Sequence, residues 1–506
     1  MPQSRREFLK AGGAALALTT VSPQAARGQT LSMSNSTQLC FLSARELARM
    51  IRERKTSARE VMGAFLQQIA RVNPKVNAIV AKLPDERCLA LADEADARLA
   101  RGEKVGALHG LPIAIKDLDP VVGFPFAAGS PVYKDRMPTE DNVVVERIRS
   151  AGALIIGKTN VPEFGLGSHT YNSVYGTTYN PYDLSKSAGG SSGGAAAALA
   201  TGMLPIANGS DTGGSLRNPG NFNNVVGLRP TVGLVPMAPT SLPYVGLGVK
   251  GPLGRTVADT ALLLSVMAGA DARDPGSYPS AATIFAQPLE RDLKGVRVAW
   301  CPDLGGLPLD HEVRRALESQ RDAVSRLGCV VEDACPDLAG ADEVFLTLRA
   351  FRAHTTLGPL LAANRGRMKP EAIREVELGE KLSGPEVSRA MMRQAEIMER
   401  MRKFQEKYEF LLCAVNQVPP FDAGLDWPKE IAGVKMEHYI AWMRSAYYIT
   451  VTHRPAISVP AGFTANGLPV GIQIVGRHRA DFDLLRFAHL FEQATGVGQR
   501  RPAIAG

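Results

Sequence analysis

Residues 187 to 200 read S-A-G-G-S-S-G-G-A-A-A-A-L-A, and residues 208 to 219 read N-G-S-D-T-G-G-S-L-R-N-P. Ser191 and Ser215 each follow a pair of glycines. A flexible linker would not carry Asp211, Arg217 and Pro219 at set places, nor a run of strong helix formers. The alanine run predicts a helix from Gly193 to Gly202, with Ser191 and Ser192 at its N-terminus, where free backbone N–H groups point outward. The second glycine pair follows a strand expected over Leu204 to Asn208. Glycines there let a ligand approach the backbone closely. Successive N–H groups in such a turn form an anion-binding nest. Beside a hydroxyl, that nest is an oxyanion hole next to a nucleophile.

Outward from these loops the chain alternates strand, turn and helix. Leu111 to Lys116 and Leu154 to Lys158 are short apolar strands, with a helix from Val143 to Ala151 between them. Upstream, Ser43-Ala44-Arg45-Glu46 and Ser57-Ala58-Arg59-Glu60 are capping boxes opening amphipathic helices, the second burying Val61, Met62, Phe65, Leu66 and Ile69. Residues 310 to 415 look helical. From Pro455 onward, P-A-I-S-V-P-A-G-F and G-L-P-V-G-I-Q-I-V-G return to strand, before a helix over Asp483 to Ala494. The pattern predicts an α/β layered sheet, with a helical insertion interrupting it.

A serine nucleophile needs a base, and no histidine lies in these motifs. A lysine serves if burial holds it neutral. Lys116 is the candidate, ending the strand in G-L-P-I-A-I-K-D. Asp117 follows it directly, but successive side chains on a strand point to opposite faces, so the two should not pair. A phosphate-binding loop would need G-K-[ST] where this helix opens G-G-A-A. The Ser–Lys type of the penicillin-recognising enzymes would need S-x-x-K and K-T-G, and the chain has neither.

Taken together, Gly189 to Gly220 resembles the signature of the amidase signature family. The similarity extends through G-L-P-I-A-I-K-D, A-G-A-L-I-I-G-K-T-N-V-P-E-F-G, G-L-R-P-T at Gly227 and the closing P-A-I-S-V-P and G-L-P-V-G-I-Q. It implies a three-layer α/β/α fold around one large mixed twisted sheet. It implies hydrolysis of a carboxylic amide to acid and amine or ammonia, without cofactor or metal. In its terms Ser215 is the acylated nucleophile, Ser191 a bridging serine on a cis peptide, and Lys116 the base. The separations of 75 and 24 residues between these three suit the family pattern. The N–H groups of Thr212, Gly213, Gly214 and Ser215 match the oxyanion hole. Ser192 is expected to support Lys116, and Asp211 and Arg217 to hold the loop. The sequence departs from the family at Ala188, Ser210 and His453-Arg454, the last of which could reshape the substrate entrance. Phe126, Tyr133, Met391-Met392 and the Tyr439 to Trp442 segment are candidates for the acyl pocket.

The whole chain sets bounds on these readings. With 506 residues, 45% hydrophobic and 21% charged, it is long enough for a large buried core and has ordinary globular composition. Aromatics are sparse at 6% and the basic residues scattered, which argues against nucleic-acid binding despite the +8 net charge. Residues 1 to 28 carry Ser4-Arg5-Arg6, an apolar stretch and small residues, resembling a twin-arginine export signal cleaved near Ala25 to Gly28. Its removal lowers the charge from +8 to +5. Residues 29 to 506 then form the amidase domain, with a helical arm over about 36 to 75 and a variable helical insertion over about 310 to 450. The expected compartment is the periplasm or the exterior. The expected partners are a small-molecule amide and, for the precursor, the twin-arginine export machinery, and a homodimer is allowed. Cys40, Cys88, Cys301, Cys329, Cys335 and Cys413 form no C-x-x-C pair, and their even number leaves disulfides and buried thiols equally open. Two alternatives stay in view: the glutamine-hydrolysing A-type component of an amidotransferase, and a non-catalytic amide-binding protein on the same fold.

Overall fold

The computed structural model describes residues 33–506. The twin-arginine segment expected over residues 1 to 28 lies outside the described residues. The arm is built of helices Met33–Phe41, Ala44–Arg52 and Ala58–Val76. Ser57 and Glu60 close a complete capping box. At Ser43 only half of one forms: its hydroxyl accepts from the Glu46 N–H, while the Glu46 carboxylate is taken by Arg49.

Eight strands form a mixed sheet in the order Val330–Asp333, Arg297–Trp300, Phe410–Ala414, Pro469–Val475, Ala456–Phe463, Val226–Arg229, Val249–Gly254 and Ile206–Asp211. The first three run parallel and the rest pair antiparallel. Alternation along each strand divides the apolar residues between two cores. Phe410, Leu412, Val298 and Trp300 enter one, Leu411, Cys413 and Ala299 the other. Helices Val257–Met267, His311–Glu318 and Asp481–Thr495 cover the first face, and Gly193–Ala200, Arg217–Phe222 and Arg444–Val451 the second. This is the expected three-layer α/β/α arrangement.

One expectation changes. The strands Val330–Asp333 and Phe410–Ala414 belong to the main sheet, so the helical insertion is not 310 to 450. It is the block Ala341–Asn364, Pro370–Glu380 and Gly384–Lys407. Those strands are short, and their apolar runs cannot be told from helix by periodicity alone. The sheet is also interrupted. Ile79–Val80, Leu154–Thr159 and Pro112–Lys116 form a separate three-stranded sheet, with the last strand lying alongside Ile206–Asp211. There the Asn208 side chain replaces the backbone ladder, its Oδ1 accepting from the Lys116 N–H at 3.0 Å.

The alanine-rich helix is buried on every side. Its glycine start is a packing requirement: a Cβ at Gly194 would run into the backbone of Asn160 and Ala78. Cys301 and Cys335 form a disulfide, tying the end of Arg297–Trp300, the second strand from one edge, to the segment that leads into Ala341–Asn364. Cys40, Cys88, Cys329 and Cys413 are buried free thiols.

Candidate active site

Lys116 ends its strand fully buried. Its Nζ lies 2.8 Å from Ser191 Oγ, 2.8 Å from Ser192 Oγ, 3.0 Å from Ser210 Oγ and 3.2 Å from the Ser210 carbonyl. No carboxylate reaches it within ion-pair distance among the described residues. Burial pulls its pKa down to about 7, with Asp119 opposing the shift and Lys250 adding to it. Asp117 points away and pairs instead with the buried Lys158 at 3.3 Å, as strand alternation requires. Asp119 accepts from Asn208 Nδ2 at 2.8 Å and Asn142 Nδ2 at 2.7 Å, and forms an ion pair with Lys250.

The Gly190–Ser191 peptide is cis, in keeping with the family resemblance. Ser168 Oγ donates to the Gly190 carbonyl, and Asn218 Nδ2 donates to Ser168 Oγ at 2.9 Å, so this backbone is held from the helix after Ser215. The Ser192 N–H donates to the Ser215 carbonyl at 3.2 Å, fastening the two glycine-serine loops to each other.

Ser215 lies in the turn between Ile206–Asp211 and Arg217–Phe222. Asp211 is buried beneath that turn. It accepts from the N–H groups of Gly214 at 2.9 Å and Leu216 at 3.2 Å, and from Arg217 Nε and Nη2 at 3.0 and 2.9 Å. Arg229 Nη1 approaches it at 3.3 Å. Burial alone would raise its pKa, but the two guanidiniums and the Gly214 N–H hold it well below the usual carboxylate range. Gly214 takes φ +115° in this turn, and a Cβ there would also meet Asn218 and Ala446. This geometry corrects one expectation. The Gly214 N–H is committed to Asp211 and does not face the cavity as an oxyanion donor. The N–H groups of Thr212, Gly213 and Ser215 have no partner among the described residues, and these three residues line the cavity.

Ser191, Ser210, Thr212, Gly213 and Ser215 open onto one cavity of about 290 Å³. Phe126, Tyr133, Phe164 and Phe345 supply much of its apolar wall. From the other candidates, Ile440 lines it, as does Met443 just beyond that segment, whereas Trp442 stacks on Phe222 in the core. Met391 and Met392 do not line it; their helix turns both to solvent. His453 is half-buried against Gln394, with 3.0 Å between Nε2 atoms, Arg454 is bonded to Gln405, and neither lines the cavity. The motifs alone do not mark Ser210, Asn208, Asp119 and Arg229 as site residues. The available signal is polar residues at alternate positions of an otherwise apolar strand, Asn208 and Ser210, facing a buried lysine.

A buried lysine whose pKa falls to about 7, hydrogen-bonded to one serine and near a second whose loop carries unpartnered N–H groups, is an arrangement suited to acyl transfer without histidine. The amidase family profile matches residues 60–485, and this chain belongs to that family. It is similar to an acylamidase of Rhodococcus erythropolis, 38% identical over 468 residues that span 92% of this chain and 98% of that protein. It is also similar to the A-type component of the glutamyl-tRNA(Gln) amidotransferase of Thermosynechococcus vestitus, 34% identical over 91% of this chain and 99% of the other. Among solved structures, a bacterial aryl acylamidase of the amidase signature family superimposes with a TM-score of 0.85 at 27% identity, covering 91% of this chain and 97% of that one. The protein is an enzyme that hydrolyses amide C–N bonds.

Proposed function

We propose that the reaction proceeds through an acyl-enzyme on Ser215. Ser191 takes the Ser215 proton as the hydroxyl attacks the amide carbonyl, and passes its own proton to neutral Lys116. The oxyanion is met by the N–H groups of Thr212, Gly213 and Ser215. The proton returns through Ser191 to the leaving amine, and water clears the ester by the same relay. The observation that carries this reading is the 2.8 Å contact between Ser191 and a buried lysine whose pKa falls to about 7. Ser192 and Ser210 hold the amine from the other side.

The substrates are small N-acyl amides with apolar acyl or aryl parts, a reading supported by the aromatic cavity wall and by the similarity to acylamidases. Purified protein should hydrolyse acyl anilides, and a fluorophosphonate should label Ser215. Ser215→Ala should abolish both. Labelling at another residue, or turnover surviving in that variant, would overturn the assignment. The similarity to the A-type amidotransferase component favours a second reading, glutamine hydrolysis feeding ammonia to a partner. Glutaminase activity exceeding anilide hydrolysis would select it. The retention of Lys116, Ser191 and Ser215 together counts against a non-catalytic amide-binding role.

The enzyme acts outside the cytoplasm after twin-arginine export. The support is the Arg5-Arg6 segment, and a disulfide of the kind that persists in oxidising compartments. Changing both arginines to lysine should trap full-length precursor in the cell, and unchanged export would remove this claim.

A further inference from the structure

Three cationic side chains line the cavity: Lys250, Arg349 and Arg352. No aspartate or glutamate lines it among the described residues. Two of the three cations are neutralised from behind, Lys250 by Asp119 and Arg349 by Glu375. Arg352 has no carboxylate within ion-pair distance among the described residues. Its one hydrogen bond there runs from Nη1 to Thr212 Oγ1 at 3.1 Å. Most of its five N–H donors are therefore uncommitted, in a planar fork suited to a carboxylate. Thr212 carries the first of the N–H groups assigned to the oxyanion, so the guanidinium stands one side chain from where the scissile carbonyl binds. Facing it, Gly248 leaves the wall bare: a Cβ there would come within 3.0 Å of Arg352 Nη1. Burial and the neighbouring Arg349 both lower the pKa of Arg352, a penalty that a bound anion would relieve.

We infer that Arg352 recognises an anionic group of the substrate, so that the preferred amides carry a carboxylate close to the scissile bond. The inference rests on the amidase reading above and adds to it a charge preference, set from the helical block at Ala341–Asn364. A structural alternative exists on the same contact, in which Arg352 only steadies the Thr212 hydroxyl. That role would affect charged and neutral substrates alike.

The test uses two matched pairs with the whole mature enzyme. The mono-4-nitroanilide of succinic acid and its methyl ester place the charge on the acyl side. The butyryl amide of 4-aminobenzoic acid and its methyl ester place it on the leaving side. The wild type is expected to favour the acid in at least one pair by roughly tenfold or more in kcat/KM, the scale of a charge-assisted hydrogen bond. Arg352→Gln should collapse that ratio, chiefly through KM, and Arg352→Lys should recover part of it. No preference for the acid in either pair overturns the inference, as does a ratio that survives Arg352→Gln. Equal losses on both members of a pair assign the structural role instead and also overturn it. Amide hydrolysis without charge preference leaves the amidase reading intact. Absence of any amide hydrolysis, with no label at Ser215, overturns both.

Discussion

At the scale of single residues, the protonation state of Lys116 governs activity. The amine accepts a proton only when neutral, and burial places its pKa near 7 rather than the ordinary value of about 10.4. kcat/KM is therefore expected to rise with pH along one ionisation centred near 7 and then to plateau. A profile flat from pH 5 to 9 would show that this lysine is not the base. Lys116→Ala should lower turnover by several orders of magnitude, because no other group in contact with Ser191 can take the proton. Ser191→Ala should be severe but leave some turnover, with water bridging Ser215 to Lys116. Near-normal rates in Lys116→Ala at neutral pH would refute the relay. The same shift has a thermodynamic sign. Between about pH 7 and 10.4 the unfolded chain holds a proton on Lys116 that the folded chain lacks, so stability should climb with pH across that window. Urea unfolding of Lys116→Met against wild type at several pH values would isolate the contribution.

At the scale of elements, the turn after Ile206–Asp211 owes its shape to one carboxylate that faces two arginines and two backbone N–H groups. Asp211→Asn would leave Arg217 and Arg229 buried without their counter-charge, at a cost of about 3–5 kcal/mol in unfolding free energy. Denaturant titration would measure it, and a loss below about 1 kcal/mol would mean that the turn holds without the pair. Short-range pattern makes much of this element legible. The glycine pairs and the alanine run mark Ser191, Ser192 and Ser215 in the sequence, the need for a base at the end of an apolar strand makes Lys116 the candidate, and the family resemblance supplies their roles. What stays hidden is set by distant parts of the chain. Arg229 joins Asp211 from another strand, and Asn208 meets Lys116 across a sheet boundary. The Gly214 N–H turns inward because Asp211, three residues earlier, already claims it. Strands 330–333 and 410–414 read as helix because four or five residues among long helices carry no period of their own.

At the scale of the whole molecule, the Cys301–Cys335 bond closes a loop of 34 residues and fixes the approach to the helix that carries Phe345 and Arg352. The loop-entropy account gives it roughly 3–4 kcal/mol. Reduction, or paired Cys301→Ser and Cys335→Ser, should lower the unfolding free energy by an amount of that order; an unchanged denaturation midpoint with and without dithiothreitol would exclude it. A larger consequence follows from the break between the two sheets. The proton acceptor rides on the three-stranded sheet, while Ser210 and the Ser215 turn are carried by the eight-stranded one. Across that boundary Lys116 is held by its own amine contacts and by a single amide, Asn208, where a backbone ladder would have given several bonds. The chemistry thus sits at the line where two sheets meet over one shared core, with Ile113 and Ile115 packed in the same cluster as Ile206 and Leu228. Loosening that polar junction would disturb the placement of Lys116 while leaving the shared apolar core in place. Asn208→Leu should therefore lose activity at temperatures where circular dichroism still reports native structure.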